Sequence, residues 1–245
     1  MRFAVVGSPI EHSKSPRMHM AAYEALGLSH TYEAIEMKEL VLDDLRKGIF
    51  EGFNVTIPHK KRALDLSDDA SDRARRADAA NTLVRKDGKI VAHNTDVPAI
   101  MKRLDALGAK RERAVILGSG GAARAAHLAL EEMGVLEIET RSRRGKWMAD
   151  AAWDARATIV IQATSAGMVN AGDEVARMIA WDALPKSAVA LEIIYAETPF
   201  LRAARARKIA CENGLSMLVE QGALAFELWL GIPAPRKVMQ DAVLR

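Results

Sequence analysis

The residues with the clearest chemical use are Gly118-Ser119-Gly120-Gly121-Ala122-Ala123, which follow the apolar run at 114–117 without a spacer and open an Ala-rich helical stretch. Strand, glycine turn and helix in that order can cradle a diphosphate. Gly118 permits the sharp turn, Gly120 and Gly121 keep side chains away from the phosphate oxygens, and Ala123 lets the helix pack closely on the strand. The helix start adds free N–H groups and the positive end of its dipole. A glycine turn in an ordinary α/β protein has the same local form, so its surroundings must decide. Two further residues have the chemistry to move a proton. Lys60 stands just past Pro58, at the carboxyl end of the strand-like stretch 52–58, where α/β proteins place their crevice; Asp96 closes the polar run His93-Asn94-Thr95. Taken alone, Lys60 also reads as a solvated lysine at a helix start and Asp96 as a helix cap.

The elements that must carry these groups alternate. Residues 2–6 read as a buried strand ending at Gly7-Ser8-Pro9, and Ser15-Pro16 has the form of an N-cap followed by proline at the first helical position. That helix should run over 16–26, with Gly27 closing it. Residues 31–36 alternate as a strand, and 40–50 has helical spacing with Leu42, Leu45 and Ile49 on one face. A third strand over 52–58 stops at the proline, a helix starts at His59, and 68–80 reads as one charged helical stretch. Residues 81–85 and 90–92 flank Lys86-Asp87-Gly88-Lys89 as a hairpin. Thr95 or Asp96 caps a helix that ends near Gly108. Beyond the glycine turn come strands at 136–139, 158–163 and 188–194, helical stretches from Lys146 and from Thr198, and a long apolar-rich helix over 216–230. The alternation predicts an α/β fold with a doubly wound parallel sheet.

With 245 residues, 49% of them apolar, the chain can build one large core or two modest ones. Lys and Arg number 35 against 32 Asp and Glu, but the charges are dispersed and few aromatics lie among them, which argues against a nucleic-acid surface. Cys211 is the sole cysteine, excluding an internal disulfide, and no Cys-x-x-Cys or closely spaced His pair offers a metal site. The apolar run near the N-terminus is too short for a secretory signal, and no run approaches a membrane span, so a soluble cytoplasmic protein is expected.

In chain order, Ser13-Lys14-Ser15-Pro16, Asn54-Val55-Thr56-Ile57-Pro58-His59-Lys60, Ala80-Asn81-Thr82, Asn94-Thr95-Asp96, Gly118-Ser119-Gly120-Gly121-Ala122, Ala163-Thr164 and Met217-Leu218-Val219-Glu220-Gln221 resemble the signature set of the shikimate dehydrogenases. An ordered series covering nearly the whole chain is far more specific than any one motif. The resemblance implies a substrate domain formed by 1–97 and 216–245, to which C-terminal helices return, an NADP-binding Rossmann domain over 98–215, and a substrate cleft between them. It implies reversible oxidation of shikimate to 3-dehydroshikimate, with Lys60 and Asp96 as the catalytic pair. Chemistry agrees, because taking a hydride from a secondary alcohol needs a group to accept the hydroxyl proton. By the same resemblance Ser13 and Ser15 hold the carboxylate, Asn81, Thr56 and Gln221 hold the ring hydroxyls, and Tyr195 completes the substrate set. Singly, Ser15 reads as an N-cap, Asn81 as a turn residue and Gln221 as a polar tooth on an apolar helix. The implied cofactor contacts are Gly118, Ser119, Gly120, Gly121 and Ala122, with Thr164, Ile193 and Gly214.

Cofactor choice carries two conflicting signals. Glu139 lies about 20 residues past the first glycine, where an acid binds the ribose hydroxyls of NAD. Immediately after it, Thr140-Arg141-Ser142-Arg143-Arg144 resembles the family's Asn-Arg-Thr loop for the 2′-phosphate of NADP. That alignment gives Thr140, Arg141, Ser142 and Arg144 as the clamp, with Glu139 alternating away, and NADP as the cofactor. Clustered arginines also read as plain surface charge. Val97 replaces a glycine of the family pattern, Ser119 an alanine, Gln162 an asparagine and Ser216 a glycine. Val97 lies nearest the catalytic pair and bears on substrate breadth, which keeps a quinate/shikimate dehydrogenase as an alternative. A methylenetetrahydrofolate-type dehydrogenase would lack the paired serines, and a non-catalytic nucleotide-sensing module would not need both Lys60 and Asp96. The expected partner is a small-molecule substrate, without nucleic acid or membrane, and the chain is expected to be a monomer or homodimer.

Overall fold

Two sheets organise the chain in this computed structural model, which describes residues 1–142, 155–164 and 173–244. Each sheet belongs to its own compact unit, one formed by Met1–Asp96 with Leu218–Arg245 and the other by Val97–Met217.

The first unit's sheet contains β1 (Arg2–Gly7), β2 (Thr31–Glu36), β3 (Gly52–Val55), β4 (Asp69–Ala70), β5 (Thr82–Lys86) and β6 (Lys89–His93), in the order β2-β1-β3-β5-β6-β4. Central β1 runs parallel to both neighbours, and Phe3, Ala4, Val5 and Val6 are all buried, as a strand covered on both faces requires. Strand β5 is antiparallel to β3 and β6, so this sheet is mixed. The β5–β6 hairpin turns through Asp87 and Gly88 at φ +50° and +76°, the signs a primed turn demands. Leu40, Leu45, Phe53, Leu83 and Ile90 form part of one core cluster. Helix α1 (Ser15–Ala25) packs against α10 (Arg236–Leu244), and Arg236 ion-pairs with Glu220 and Glu227 of α9 (Leu215–Leu230).

Several local expectations change here. Helix α1 begins at Ser15, so Ser15 is the first helical residue and Lys14 the flanking one. Only Asp43–Arg46 (α2) is helical within 40–50: Gly48 at φ +73° ends the turn, leaving Ile49 exposed while Leu42 and Leu45 are buried. The charged stretch 68–80 holds both β4 and a short helix, α4 (Asp72–Arg76), whose start is capped by Ser71 Oγ accepting from Ala74 N–H. Helical charge spacing concealed a two-residue strand. Helix α3 (Lys60–Leu66) follows β3 as expected.

The second unit has a fully parallel sheet of β7 (Arg113–Leu117), β8 (Glu137–Arg141), β9 (Ile159–Gln162), β10 (Val189–Glu192) and β11 (Ala210–Glu212), ordered β11-β10-β9-β7-β8. Successive strands leave β7 in opposite directions, which makes its carboxyl end a topological switch point. The glycine turn sits there. Helices α5 (Asp96–Ala106), α6 (Gly121–Glu132), α7 (Glu174–Arg177) and α8 (Pro199–Ala206) complete the described part. Val115, Leu117, Val160, Trp181, Phe200 and Leu201 belong to its core. Strand β11 was not anticipated, and the helical stretch expected from Lys146 begins outside the described residues.

Candidate active site

Strand β3 ends, the chain turns through Pro58, and Lys60 emerges as the first residue of α3. Its Nζ donates to Asp96 Oδ2 at 2.6 Å, with the two side chains only 16% and 5% exposed. A buried lysine–carboxylate contact this short is not a solvated helix-start lysine. Asp96 opens α5, but the side chain that accepts its N–H is Asn94, whose Oδ1 lies at 3.1 Å. The Asp96 carboxylate accepts from Lys60 at Oδ2 and from Asn81 Nδ2 at Oδ1, the latter at 2.9 Å.

Asn81 is a hub rather than a turn residue. Its Nδ2 also lies 2.9 Å from Thr95 Oγ1 and 3.3 Å from Gln221 Oε1, while its Oδ1 accepts from Thr95 N–H at 2.7 Å and from the Thr82 hydroxyl at 3.2 Å. Gln221 is oriented from α9 by its own Nε2, which donates to Leu218 O at 2.8 Å. On the other side, Asn54 donates through Nδ2 to Thr82 Oγ1 at 3.1 Å, and its Oδ1 accepts from the Tyr32 phenol at 2.7 Å. Burial raises the Tyr32 pKa well above the ordinary tyrosine value, so it stays a neutral donor. His19 stacks flat on the Tyr32 ring at 4.2 Å between centroids. One buried hydrogen-bonded path thus runs from Tyr32 through Asn54, Thr82 and Asn81 to Asp96 and Lys60.

The remaining substrate candidates fall around this path or away from it. Ser13 is half-buried beside Ser15 and accepts its N–H at 3.3 Å, while Lys14 donates to Val243 O at 2.8 Å and ties this loop to the end of α10. Thr56 follows β3, half-buried, with its N–H on Val6 O. Tyr195 belongs to the second unit, after β10, where burial raises its pKa. Tyr32, Asn54, Thr82 and Thr95 were missing from the candidate set. Asn54, Thr82 and Thr95 lie inside the motifs quoted for the family, and Tyr32 is the one fully buried position of β2.

In the second unit Gly118 sits at φ +130°, where a Cβ would come within 2.7 Å of the Ala163 carbonyl oxygen, so glycine alone fits. Its N–H donates to Arg141 O at 2.8 Å. Ser119 and Gly120 are exposed, and the space where a Gly120 Cβ would stand is open to 4 Å. Gly121 and Ala122 form the first turn of α6, whose start has no side-chain cap. Open space beside uncapped N–H groups suits a diphosphate. Thr164 N–H is held by Gln162 Oε1 at 2.8 Å, so the glutamine that departs from the family pattern serves the local turn. Gly214 N–H donates to Ile194 O at 3.0 Å, beside Ile193.

Strand alternation puts Glu137, Glu139 and Arg141 on one face of β8 and Ile138 and Thr140 on the other. Thr140 is exposed, with Oγ1 3.5 Å from His127 Nδ1, and Ser142 is half-buried. Glu139 lies between Arg113 Nη2 at 3.1 Å and Arg141 Nε at 2.8 Å, and the Arg141 side chain is only 5% exposed. The acid that suggested NAD and the arginine that suggested NADP are therefore one ion-paired group. Arg144 lies outside the described residues.

Residues 5–83 match the sequence model of the shikimate dehydrogenase substrate binding domain, and residues 214–244 match that of the shikimate 5′-dehydrogenase C-terminal domain. The chain is 36% identical to the shikimate dehydrogenase (NADP(+)) of Microcystis aeruginosa, covering 98% of this chain and 95% of that one. It belongs to the shikimate dehydrogenase family. A shikimate 5-dehydrogenase of Thermus thermophilus, solved in complex with NADP(H) and shikimate, superposes with a TM-score of 0.88 at 35% identity, covering 100% of this chain and 99% of that one. A 5-ketofructose reductase of Gluconobacter sp. strain CHM43 superposes at 0.82 with 28% identity, covering 100% and 98%. The shikimate dehydrogenase scaffold thus also carries a protein named for a different reaction, and substrate choice must be argued from the site. Among the described residues no helix is long and apolar enough to cross a membrane.

Proposed function

We propose that this chain catalyses the reversible, NADP-dependent interconversion of shikimate and 3-dehydroshikimate, a reaction on the route to aromatic amino acids. The first unit binds substrate and the second binds NADP. The observation that carries this reading is the buried Lys60–Asp96 pair at 2.6 Å, braced by Asn81. In the oxidising direction the Lys60–Asp96 pair takes the hydroxyl proton; in the reducing direction the Lys60 ammonium returns a proton to the carbonyl oxygen. Asp96 orients the lysine and balances its charge. Bound NADP supplies the hydride acceptor. Ser13 and Ser15 hold the carboxylate, Thr56, Asn81 and Gln221 the ring hydroxyls, and Tyr195 completes the substrate set, since a small polyhydroxy acid needs many neutral hydrogen-bonding groups and little apolar wall.

Gly118, Ser119, Gly120, Gly121 and Ala122 suit the diphosphate, with Thr140, Arg141, Ser142 and Arg144 toward the 2′-phosphate and Thr164, Ile193 and Gly214 toward the rest of the cofactor. The enzyme works in the cytoplasm as a monomer or homodimer, on a small molecule. Steady-state spectrophotometry with shikimate or quinate, each with NADP or NAD, tests the reading. Shikimate with NADP should give a much higher kcat/KM than any other combination. Comparable efficiency with quinate overturns the substrate assignment, and a preference for NAD overturns the cofactor assignment.

A further inference from the structure

Gln162 and Glu192 are register partners at the carboxyl ends of β9 and β10, and each turns back on the chain that follows it. Gln162 Oε1 accepts the Thr164 N–H at 2.8 Å, and Glu192 Oε1 accepts the Ile194 N–H at 3.1 Å, two residues ahead in both cases. Glu192 does one thing more. Its Oε2 accepts the Thr198 hydroxyl at 3.0 Å, and Thr198 Oγ1 in turn caps α8 by accepting the Leu201 N–H at 3.3 Å. Glu192 is fully buried, a costly place for a carboxyl group, and both of its oxygens serve the segment 194–198. Ile194 is held from its other side as well, because its carbonyl accepts the Gly214 N–H at 3.0 Å. The peptide groups on both sides of Ile194 are thus fixed, and Tyr195 follows directly. Ile193 is held differently: its N–H sits on Gln162 O at 3.0 Å, continuing the β9–β10 pairing.

We propose that Glu192 is a positioning residue for substrate binding: by closing the segment 194–198 at both ends, it fixes the backbone that presents Tyr195. The proposal rests on the reading that Tyr195 completes the substrate set. Acceptor geometry rather than charge is what the position requires, since Gln162 holds its own turn with an amide oxygen. The Thr198 hydroxyl, which donates to a carboxylate, can equally accept from an amide N–H.

Isothermal titration calorimetry with shikimate and with NADP, at about pH 8.5, tests this. Burial pushes the Glu192 carboxyl up to about 7, so at that pH both oxygens accept. Glu192→Ala should weaken shikimate by about 10-fold, as loss of one hydrogen bond from a displaced tyrosine implies, and NADP by less than about 2-fold, because Ile193 keeps its bond to β9. Glu192→Gln should bind both ligands within about 2-fold to 3-fold of the wild type. Tyr195→Phe should weaken shikimate by a similar factor, and in that background Glu192→Ala should add less than about 2-fold. Should Glu192→Ala fail to fold, Thr198→Val removes the hydroxyl from Oε2 and leaves the Ile194 bond; it should weaken shikimate by about 3-fold and leave NADP alone, and unchanged shikimate affinity there overturns the proposal. Equal weakening of shikimate and NADP by Glu192→Ala would reduce the residue to a general structural role, and a Glu192→Gln variant as weak as Glu192→Ala would show that charge decides; both overturn the proposal. If Tyr195→Phe weakens shikimate and Glu192→Ala does not, the positioning role alone fails. Tyr195→Phe without effect on shikimate removes the reading of Tyr195 itself, and the proposal with it.

Discussion

Replacing Lys60 by alanine separates a catalytic pair from a structural ion pair. Lys60 Nζ lies 2.6 Å from Asp96 Oδ2, and Asp96 keeps its second bond, from Asn81 at 2.9 Å, after the lysine is gone. The carboxylate is thus still held in place but has lost its proton-exchanging partner. Loss of a general acid–base group costs about 10² to 10⁴ in kcat, equivalent to roughly 2.7 to 5.4 kcal/mol of transition-state stabilisation. Removing one member of a buried pair also costs about 3 kcal/mol of stability, which for a protein of this size lowers Tm by roughly 6 to 12 °C. Assays at 25 °C keep the two effects apart.

NADPH absorbance at saturating substrate and cofactor gives kcat, and calorimetry gives the shikimate Kd, which should change much less than kcat. Asp96→Asn should also lower kcat. If the two residues act as a unit, the double variant falls little below the worse single variant rather than to the product of the two. A Lys60→Ala enzyme retaining more than about a tenth of wild-type kcat would refute the acid–base assignment. Multiplicative losses in the double variant would refute the claim that Asp96 acts through Lys60.

Asn81→Ala should cost about 2 to 4 kcal/mol by urea denaturation, because it strips partners from buried Thr95, Thr82 and Asp96 together; a loss under about 1 kcal/mol would contradict its role as hub. Burial pushes the Glu192 carboxyl up to about 7 from 4.5, against bonds from Ile194 N–H and the Thr198 hydroxyl that pull it down. Between those values the native state holds a proton that the unfolded chain has released, so stability should fall by roughly 3 kcal/mol as pH rises through this window, and Glu192→Gln should flatten that slope. His19 has the opposite sign. Buried with both ring nitrogens unpartnered, it is lowered from 6.5 to about 3, so the unfolded chain binds the extra proton and stability falls as pH drops through that range; His19→Phe should remove this acid slope in urea titrations at pH 4 to 7.

Much of the fold was legible because it rests on local signals. Apolar runs such as 114–117, the Asp87-Gly88 turn and Thr198 ahead of Pro199 each specify their element with a few neighbouring residues, and β7, the β5–β6 hairpin and α8 follow. The misreadings share a cause. Residues 40–50 and 68–80 have helical periodicity in their apolar and charged positions, but Gly48 at φ +73° and the Ser71 cap are backbone decisions that outweigh it. Strand β11 is three residues long and too short to show a period.

The site divides along the same line, according to how far apart in the chain its partners lie. Ordered motifs were enough to nominate Lys60, Asp96, Asn81 and Gln221, yet no spacing rule joins residues 140 positions apart, as the Asn81–Gln221 contact does. Tyr32 was invisible for this reason: it comes from β2, two strands away from β3 in sheet order, and its use appears only when its hydroxyl meets Asn54. Glu139 was visible, but its partners were not. Its position gave the sign of its charge, whereas its pairing with Arg113 comes from the neighbouring strand, through the parallel register of β7 and β8. The charge of an acid at a strand end is felt together with that of the cations the sheet places beside it, and a spacing rule that reads residue 139 alone does not contain that information.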